Sequence, residues 1–203
     1  MDRQGTIYTM IFSFIVTFAF VFLLSLTNQA TVGMVKLNQE TTRQSAILAA
    51  MGIAHTGAQD VLEKFRSIRT EQKGGVTLYT TTRNGETIYA AEFAGSGLWS
   101  TIRGVVGVNS DVTRILGLEI ISQGETPGLG GRIDEQWFKD QFTDEKVVNG
   151  QIQVDMHNAG APDTSHDNGQ VDGITGATIT STSVGRIVND ELKTLRSILG
   201  GKS

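Results

Sequence analysis

From Gln4 to Val35 the chain carries no charged residue, and within that interval "IYTMIFSFIVTFAFVFLLSL" (Ile7 to Leu26) is dominated by Phe, Val, Ile and Leu. At about 1.5 Å per residue, roughly twenty such residues cross the roughly 30 Å hydrocarbon core of a bilayer as one helix. The competing readings are a buried core helix and a signal peptide. A signal peptide fits poorly: its apolar region is usually shorter, Asn28 and Ala30 make a poor cleavage site, and Asp2 weakens a positive leading segment. The expectation is an uncleaved anchor over residues 1–30 ahead of a domain over residues 31–203. Orientation stays open at this point, because Arg3 precedes the run while Lys36 and Arg43 follow it.

The remaining composition is that of a folded domain. Of the 203 residues, 39% are hydrophobic and 19% charged, which suits one domain with an accessory segment. A net charge of −4 argues against a nucleic-acid partner. Cysteine is absent, which removes disulfides, thiolate metal sites and iron–sulfur ligation. A redox role would therefore rest on an organic cofactor or haem. His55, His157 and His166 are scattered and read as solvated or locally capped, with no Ser-His-Asp or paired-carboxylate set around them.

After the anchor, "KLNQETTRQSAILAAMGI" (36–53) reads as a helix that continues the span as a stalk, with Ile47, Leu48 and Met51 on one side and Gly52 as C-cap. A second helix is expected from Ala58 to Ile68, broken by "QKGG". Strands "VTLYTTT" and "ETIYAAEF" flank Asn84-Gly85, a hairpin signal, and "TIRGVVGVN" pairs with "VTRILGLEIIS". A short helix over Asp134 to Phe142, a hairpin about Asn149-Gly150 and a polar surface loop "HNAGAPDTSHDNGQ" follow. A helix from Ser181 to Leu199 closes the chain. The order predicts an α+β fold: an antiparallel sheet flanked by helices, with one N-terminal transmembrane helix.

Three glycine-punctuated stretches stand out. "GSGLWS" (Gly95 to Ser100) reads either as a bend with a core tryptophan or as a platform offering Trp99 to a planar ligand. "GETPGLGG" (Gly124 to Gly131) is stiffened by Pro127 and offers Leu129, which needs something to bury itself against. It is neither a Walker loop nor a dinucleotide fingerprint. In "DGITGATITST" (Asp172 to Thr182), Thr180, Ser181 and Thr182 suffice to cap the final helix, which leaves Thr175 and Thr178 without a structural task. A phosphoryl group on Thr178 would be stabilised by the helix N-terminus.

Together, in this order and behind an N-terminal span, the three stretches resemble the FMN-binding subunit family: the G subunit of Rnf complexes and the C subunit of the sodium-pumping NADH:quinone oxidoreductase. Asp172, Thr175, Gly176, Ala177 and Thr178 look like the Asp-x-x-Ser/Thr-Gly-Ala-Thr motif modified by a flavin transferase. The resemblance implies FMN joined through its phosphate to Thr178, with Asp172, Gly176 and Ala177 read by the transferase. Trp99 and Leu129 would flank the ring beside Leu98 and Ser100. Glu125, Thr126 and Gly130 would line its polar edge, mainly through backbone groups. It further implies a single-pass protein of a bacterial inner membrane, N-terminus inside and flavin domain on the outer face, relaying electrons between other membrane subunits.

Modest length and "WFKDQF" favour the Rnf G subunit, whereas "GLWS", "ILAAMGI" and Gly131 keep the quinone-reductase type as the alternative. Two other classes are a membrane-tethered flavin reductase, with Arg103 and Arg132 as the nearby cations, and a non-redox assembly subunit whose threonines only cap a helix.

Overall fold

The computed structural model describes residues 3–200. Helix α1 (Arg3–Ala50) joins the predicted anchor and stalk into one element. By their internal contacts the residues form two units, Met1–Glu40 and Thr41–Ser203. In the first unit the large apolar side chains from Ile7 to Leu37 are exposed, with Val16 alone half-buried. Among the described residues this is the one helix long and apolar enough to cross a membrane.

The second unit is built on an antiparallel six-stranded sheet whose strands lie in chain order. These are β1 (Arg69–Lys73), β2 (Val76–Arg83), β3 (Glu86–Ser96), β4 (Thr101–Asn109), β5 (Arg114–Ser122) and β6 (Glu145–Lys146). Asn84 and Gly85 both have positive φ (54° and 84°), the geometry of a two-residue turn that matches strand twist. Strand alternation sends Tyr79, Ile88, Ala90 and Val105 to one face, where the end of α1 (Ala46, Ile47, Leu48, Ala50, Met51) and α2 (Gly57–Phe65) cover them. Leu78, Ala91, Phe93, Ile102 and Val106 line the other face. There α3 (Gln136–Asp140) and α4 (Thr178–Leu199) cover them with Phe138, Val184, Ile187, Val188, Leu192 and Leu195. On the α1 side Glu92 accepts from Arg43 Nε (2.7 Å) and from Tyr79 Oη (2.7 Å), which ties the helix end to the sheet.

Several sequence expectations change. The second helix ends at Phe65, three residues early, and "QKGG" proves to be a hairpin turn: Lys73 pairs with Val76 across Gly74-Gly75. β1 has no apolar alternation and was invisible to pattern reading; it is an exposed edge strand. Asn149-Gly150 is a tight turn but closes only a single bridge, Val148 to Gln151. The following strand β7 (Gln153–Asp155) instead pairs in parallel with β8 (Gln170–Asp172). The expected helix over Asp134 to Phe142 is a 3-10 turn (Gly130–Asp134) followed by the shorter α3.

The long polar loop is pinned by Gln141, which is 2% exposed. Its Oε1 accepts from the N–H groups of Asp163 and Asp172 (2.8 Å each), and its Nε2 donates to the Asp172 carbonyl (3.2 Å). Gln141→Leu leaves these buried groups unmatched and should lower stability by about 3 kcal/mol, read as a fall in Tm. An unchanged Tm would contradict the pinning.

On α4, burial pushes the Glu191 carboxyl up to about 7. Its Oε1 is buried without a partner. The folded chain therefore holds this proton more tightly than the unfolded one, and stability falls as pH rises from about 4.5 to 7. Glu191→Gln should stabilise by about 1–2 kcal/mol at pH 8 and far less at pH 4.5. A Tm difference independent of pH would refute this.

Candidate functional site

The site lies at the first turn of α4. The final helix starts at Thr178, three residues before the predicted Ser181, and its N-cap is Ala177, with no side-chain cap. The capping expected of Thr180, Ser181 and Thr182 is therefore wrong, and each has other work. Thr180 Oγ1 donates to Glu125 Oε2 (2.7 Å), Ser181 Oγ accepts from the Ile174 N–H (3.0 Å), and Thr182 Oγ1 bonds back to the Thr178 carbonyl (2.8 Å). Thr175, expected to be idle, donates to the Ala159 carbonyl of the polar loop (2.5 Å). Thr178 alone among these hydroxyls has no protein partner, and it is exposed. The first helical bond runs from the Ser181 N–H to the Ala177 carbonyl, so the N–H groups of Thr178, Ile179 and Thr180 find no backbone acceptor.

The two other glycine stretches meet this turn through Glu125. Glu125 is 5% exposed, and its carboxylate accepts from the N–H groups of Leu98 (3.2 Å), Trp99 (3.0 Å) and Ser100 (3.1 Å), besides Thr180. Desolvation opposes ionisation here, but these donors outweigh it and hold the carboxyl below its ordinary range. Space is as tight as the bonding. A Cβ on Gly97 would lie 2.6 Å from Glu125 Oε1, and one on Gly130 would lie 2.6 Å from Thr180 Oγ1. Leu129 reaches over Gly176, where a Cβ would stand 3.2 Å from Leu129 Cδ2; Gly176 itself has φ +77°.

Three residues expected at the ring's polar edge, mainly through backbone groups, are placed as follows. The Glu125 carboxylate faces inward, toward the Leu98–Ser100 bend and Thr180. The Thr126 carbonyl already accepts from Leu129 (3.1 Å) and Gly131 (2.9 Å), and Gly130 is buried against Thr180. Asp172 and Ala177 are buried, whereas Thr175, Gly176 and Thr178 are on the surface. Burial, with Asp163 and Asp155 nearby, raises the Asp172 carboxyl.

Trp99 is 73% exposed, which rules out a core tryptophan, and Leu129, at 44%, is not buried by the chain itself. Outside α1, the large apolar side chains exposed among the described residues are Leu98, Trp99, Leu129 and Ile179. Ile179 escaped sequence reading; its signal was an apolar residue beside the stripe of Val184, Val188 and Leu192. Arg132 is engaged, with Nε 3.1 Å from Glu135 and its guanidinium 5.3 Å from the Trp137 ring centre. The histidines make local contacts: His55 with Ser45 (2.6 Å) and His157 with Asp155 (2.8 Å).

Residues 97–193, which contain the second and third stretches and the first from Gly97 onward, match the model of the FMN-binding domain family. Just under half of the chain is thus similar to that family. It is 35% identical over 139 residues to the C subunit of the Na(+)-translocating NADH-quinone reductase of Vibrio anguillarum, covering 66% of this chain and 51% of that one. With its counterpart from Vibrio alginolyticus it shares 39% over 92 residues, 44% of this chain and 35% of the relative. The chain thus spans between a third and about half of these curated relatives. The solved C subunit of the same reductase from Parabacteroides distasonis ATCC 8503 has the same fold, with a TM-score of 0.69 at 23% identity, covering 84% of this chain and 97% of that one. These relatives bear the name of the quinone-reductase branch, so the preference for an Rnf G subunit gives way to the alternative. Residues 97–193 are thus similar to an FMN-binding domain, and α1 is long and apolar enough to cross a membrane.

Proposed function

We propose that the chain is the electron-carrying, membrane-anchored C subunit of a sodium-translocating NADH:quinone reductase type complex, with FMN bound covalently through its phosphate to Thr178. One observation carries this reading. The exposed apolar side chains Leu98, Trp99, Leu129 and Ile179 belong to the segments gathered around a threonine whose hydroxyl has no protein partner. The residues fit the cofactor at both ends. A phosphate ester on Thr178 would meet the unpaired N–H groups and positive end of α4. A ring carried there would cover Trp99 and Leu129, with Leu98 and Ser100 beside it, and each Å² of apolar surface removed from water contributes about 25 cal/mol.

When bound, FMN supplies reversible electron acceptance; the chain supplies position, water exclusion and a tether. Attachment would join Thr178 Oγ1 to the flavin's phosphorus and break that phosphorus's bond to the leaving group of a flavin donor, which would take up the hydroxyl proton. The exchange is redox-neutral, and a flavin transferase would carry it out. Covalent attachment suits a carrier on the outer face of a bacterial inner membrane, where a lost cofactor is not replaced. In this reading residues 1–30 anchor the chain as a single pass with the N-terminus inside, residues 31–203 carry the flavin, and other membrane subunits are its electron partners. The flavin reductase reading loses Arg132, which is held by Glu135 and Trp137.

The test is to co-express the chain with a flavin transferase, denature it, and record intact mass and in-gel flavin fluorescence. One FMN increment per chain, mapping to the peptide containing Thr178, is expected. An unlabelled chain would overturn the proposal.

A further inference from the structure

One carboxylate connects the two ends of the site. Glu125 Oε1 receives the N–H groups of Trp99 and Ser100 and the Ser100 hydroxyl (3.3 Å). Its Oε2 receives the Leu98 N–H and the Thr180 hydroxyl. Three successive backbone N–H groups converging on one anion form a nest, and here the chain fills its own nest with a buried side chain. Thr180 lies two residues past Thr178 on the same helical turn. The bend bearing Trp99 and the turn bearing Thr178 are thus both bonded to a single buried anion. Gly97 and Gly130 are the points where nothing larger fits beside it.

We propose that Glu125 is a positioning residue: its buried carboxylate sets the placement of the Trp99 platform relative to the Thr178 attachment point, so that a ring tethered at one meets the other. This rests on the reading of Thr178 and Trp99 given above, and it assigns Glu125 a role inside the frame instead of at the flavin's edge. The carboxylate suits the task because all the groups it meets are donors, and charge-assisted bonds to N–H and O–H are about twice as strong as neutral ones. An amide in its place would turn an –NH2 toward donors. The same clamp makes Thr180 essential for its hydroxyl and not for its methyl.

Full-length protein in detergent, in a Trp137→Phe background so that Trp99 is the only tryptophan, gives a readout that needs no flavin. Glu125→Gln and Thr180→Val should leave far-UV dichroism unchanged yet lower Trp99 fluorescence anisotropy and raise its acrylamide quenching severalfold. Thr180→Ser should behave as the parent. On flavin-transferase co-expression, Glu125→Gln and Thr180→Val should carry severalfold less label, and the label present should have a shifted absorption band and midpoint potential. Thr180→Ser should restore both. If Trp99 anisotropy, label yield, spectrum and potential in Glu125→Gln all match the parent, the positioning role is overturned. A parent that takes no label removes the Thr178 reading but leaves the tryptophan measurement to decide the clamp. If Glu125→Gln unfolds, Thr180→Val against Thr180→Ser decides it by the same signals, and equal behaviour of that pair overturns the proposal.

Discussion

Thr178→Ala should eliminate covalent flavin entirely, from one per chain to none, while leaving the fold unaltered. The two halves of this expectation come from different observations. Loss of label follows from the removal of the one hydroxyl in the motif that the protein does not use for itself. Preservation of the fold follows because Thr178 is exposed and caps nothing, the N-cap being Ala177. Alanine in a first helical turn costs no more than a few tenths of a kcal/mol and has the better helix propensity. Thr178→Ser, which retains a hydroxyl, should keep the label. Thr182→Ala should also keep it, since its hydroxyl only bonds back to the Thr178 and Ile179 carbonyls on the exposed side of the helix. Fluorescence of denatured protein on a gel and intact mass decide the matter, and a label persisting in Thr178→Ala would sink the attachment site.

Gly107→Ala should be the most damaging single methyl in the second unit. A Cβ there would lie 2.0 Å from the Ala50 carbonyl oxygen and 2.6 Å from its carbon. Gly117, its register partner on β5, faces the same Ala50 backbone at 2.9 Å. The obstructing atoms are backbone at the end of α1, so no rotamer change relieves the collision. Moving that helix end would pull Ile47, Leu48 and Met51, all fully buried, out of register with the sheet. Overpacking against backbone of this kind costs about 3 kcal/mol. At about 2–4 °C per kcal/mol for a chain of this size, the Tm should drop by roughly 10 °C. A thermal melt of the full chain in detergent measures it, and a Tm within a degree or two of the parent would show that α1 does not approach the sheet at Gly107.

Local signals in the chain were legible where a single backbone requirement has few sequence solutions. Asn84-Gly85 makes its turn because both residues tolerate positive φ, and Gly52 ends α1 at φ +66° for the same reason. β1 was not legible, because an edge strand of charged and polar residues such as Arg69, Glu71 and Lys73 shows no apolar period. The parallel pairing of β7 with β8 was equally hidden, since it joins segments separated by the long polar loop. The branch preference drawn from "WFKDQF" and length also failed. That segment folds as α3 and supplies Phe138 and Phe142 to the core, a packing role that carries no information about partners.

By itself the sequence determined an uncharged apolar run long enough to cross a bilayer, the hairpins, and a motif containing more hydroxyls than a helix end needs. It could not say which hydroxyl was spare, and it gave the capping work to the wrong residues. Only the tertiary structure decided that. Thr180 is consumed by Glu125, Ser181 by Ile174 and Thr175 by the polar loop, which leaves Thr178 facing water among exposed apolar side chains. The physical reason is that a hydroxyl's role depends on which acceptor lies within about 3 Å. For Thr180 that acceptor stands 55 residues away in the chain.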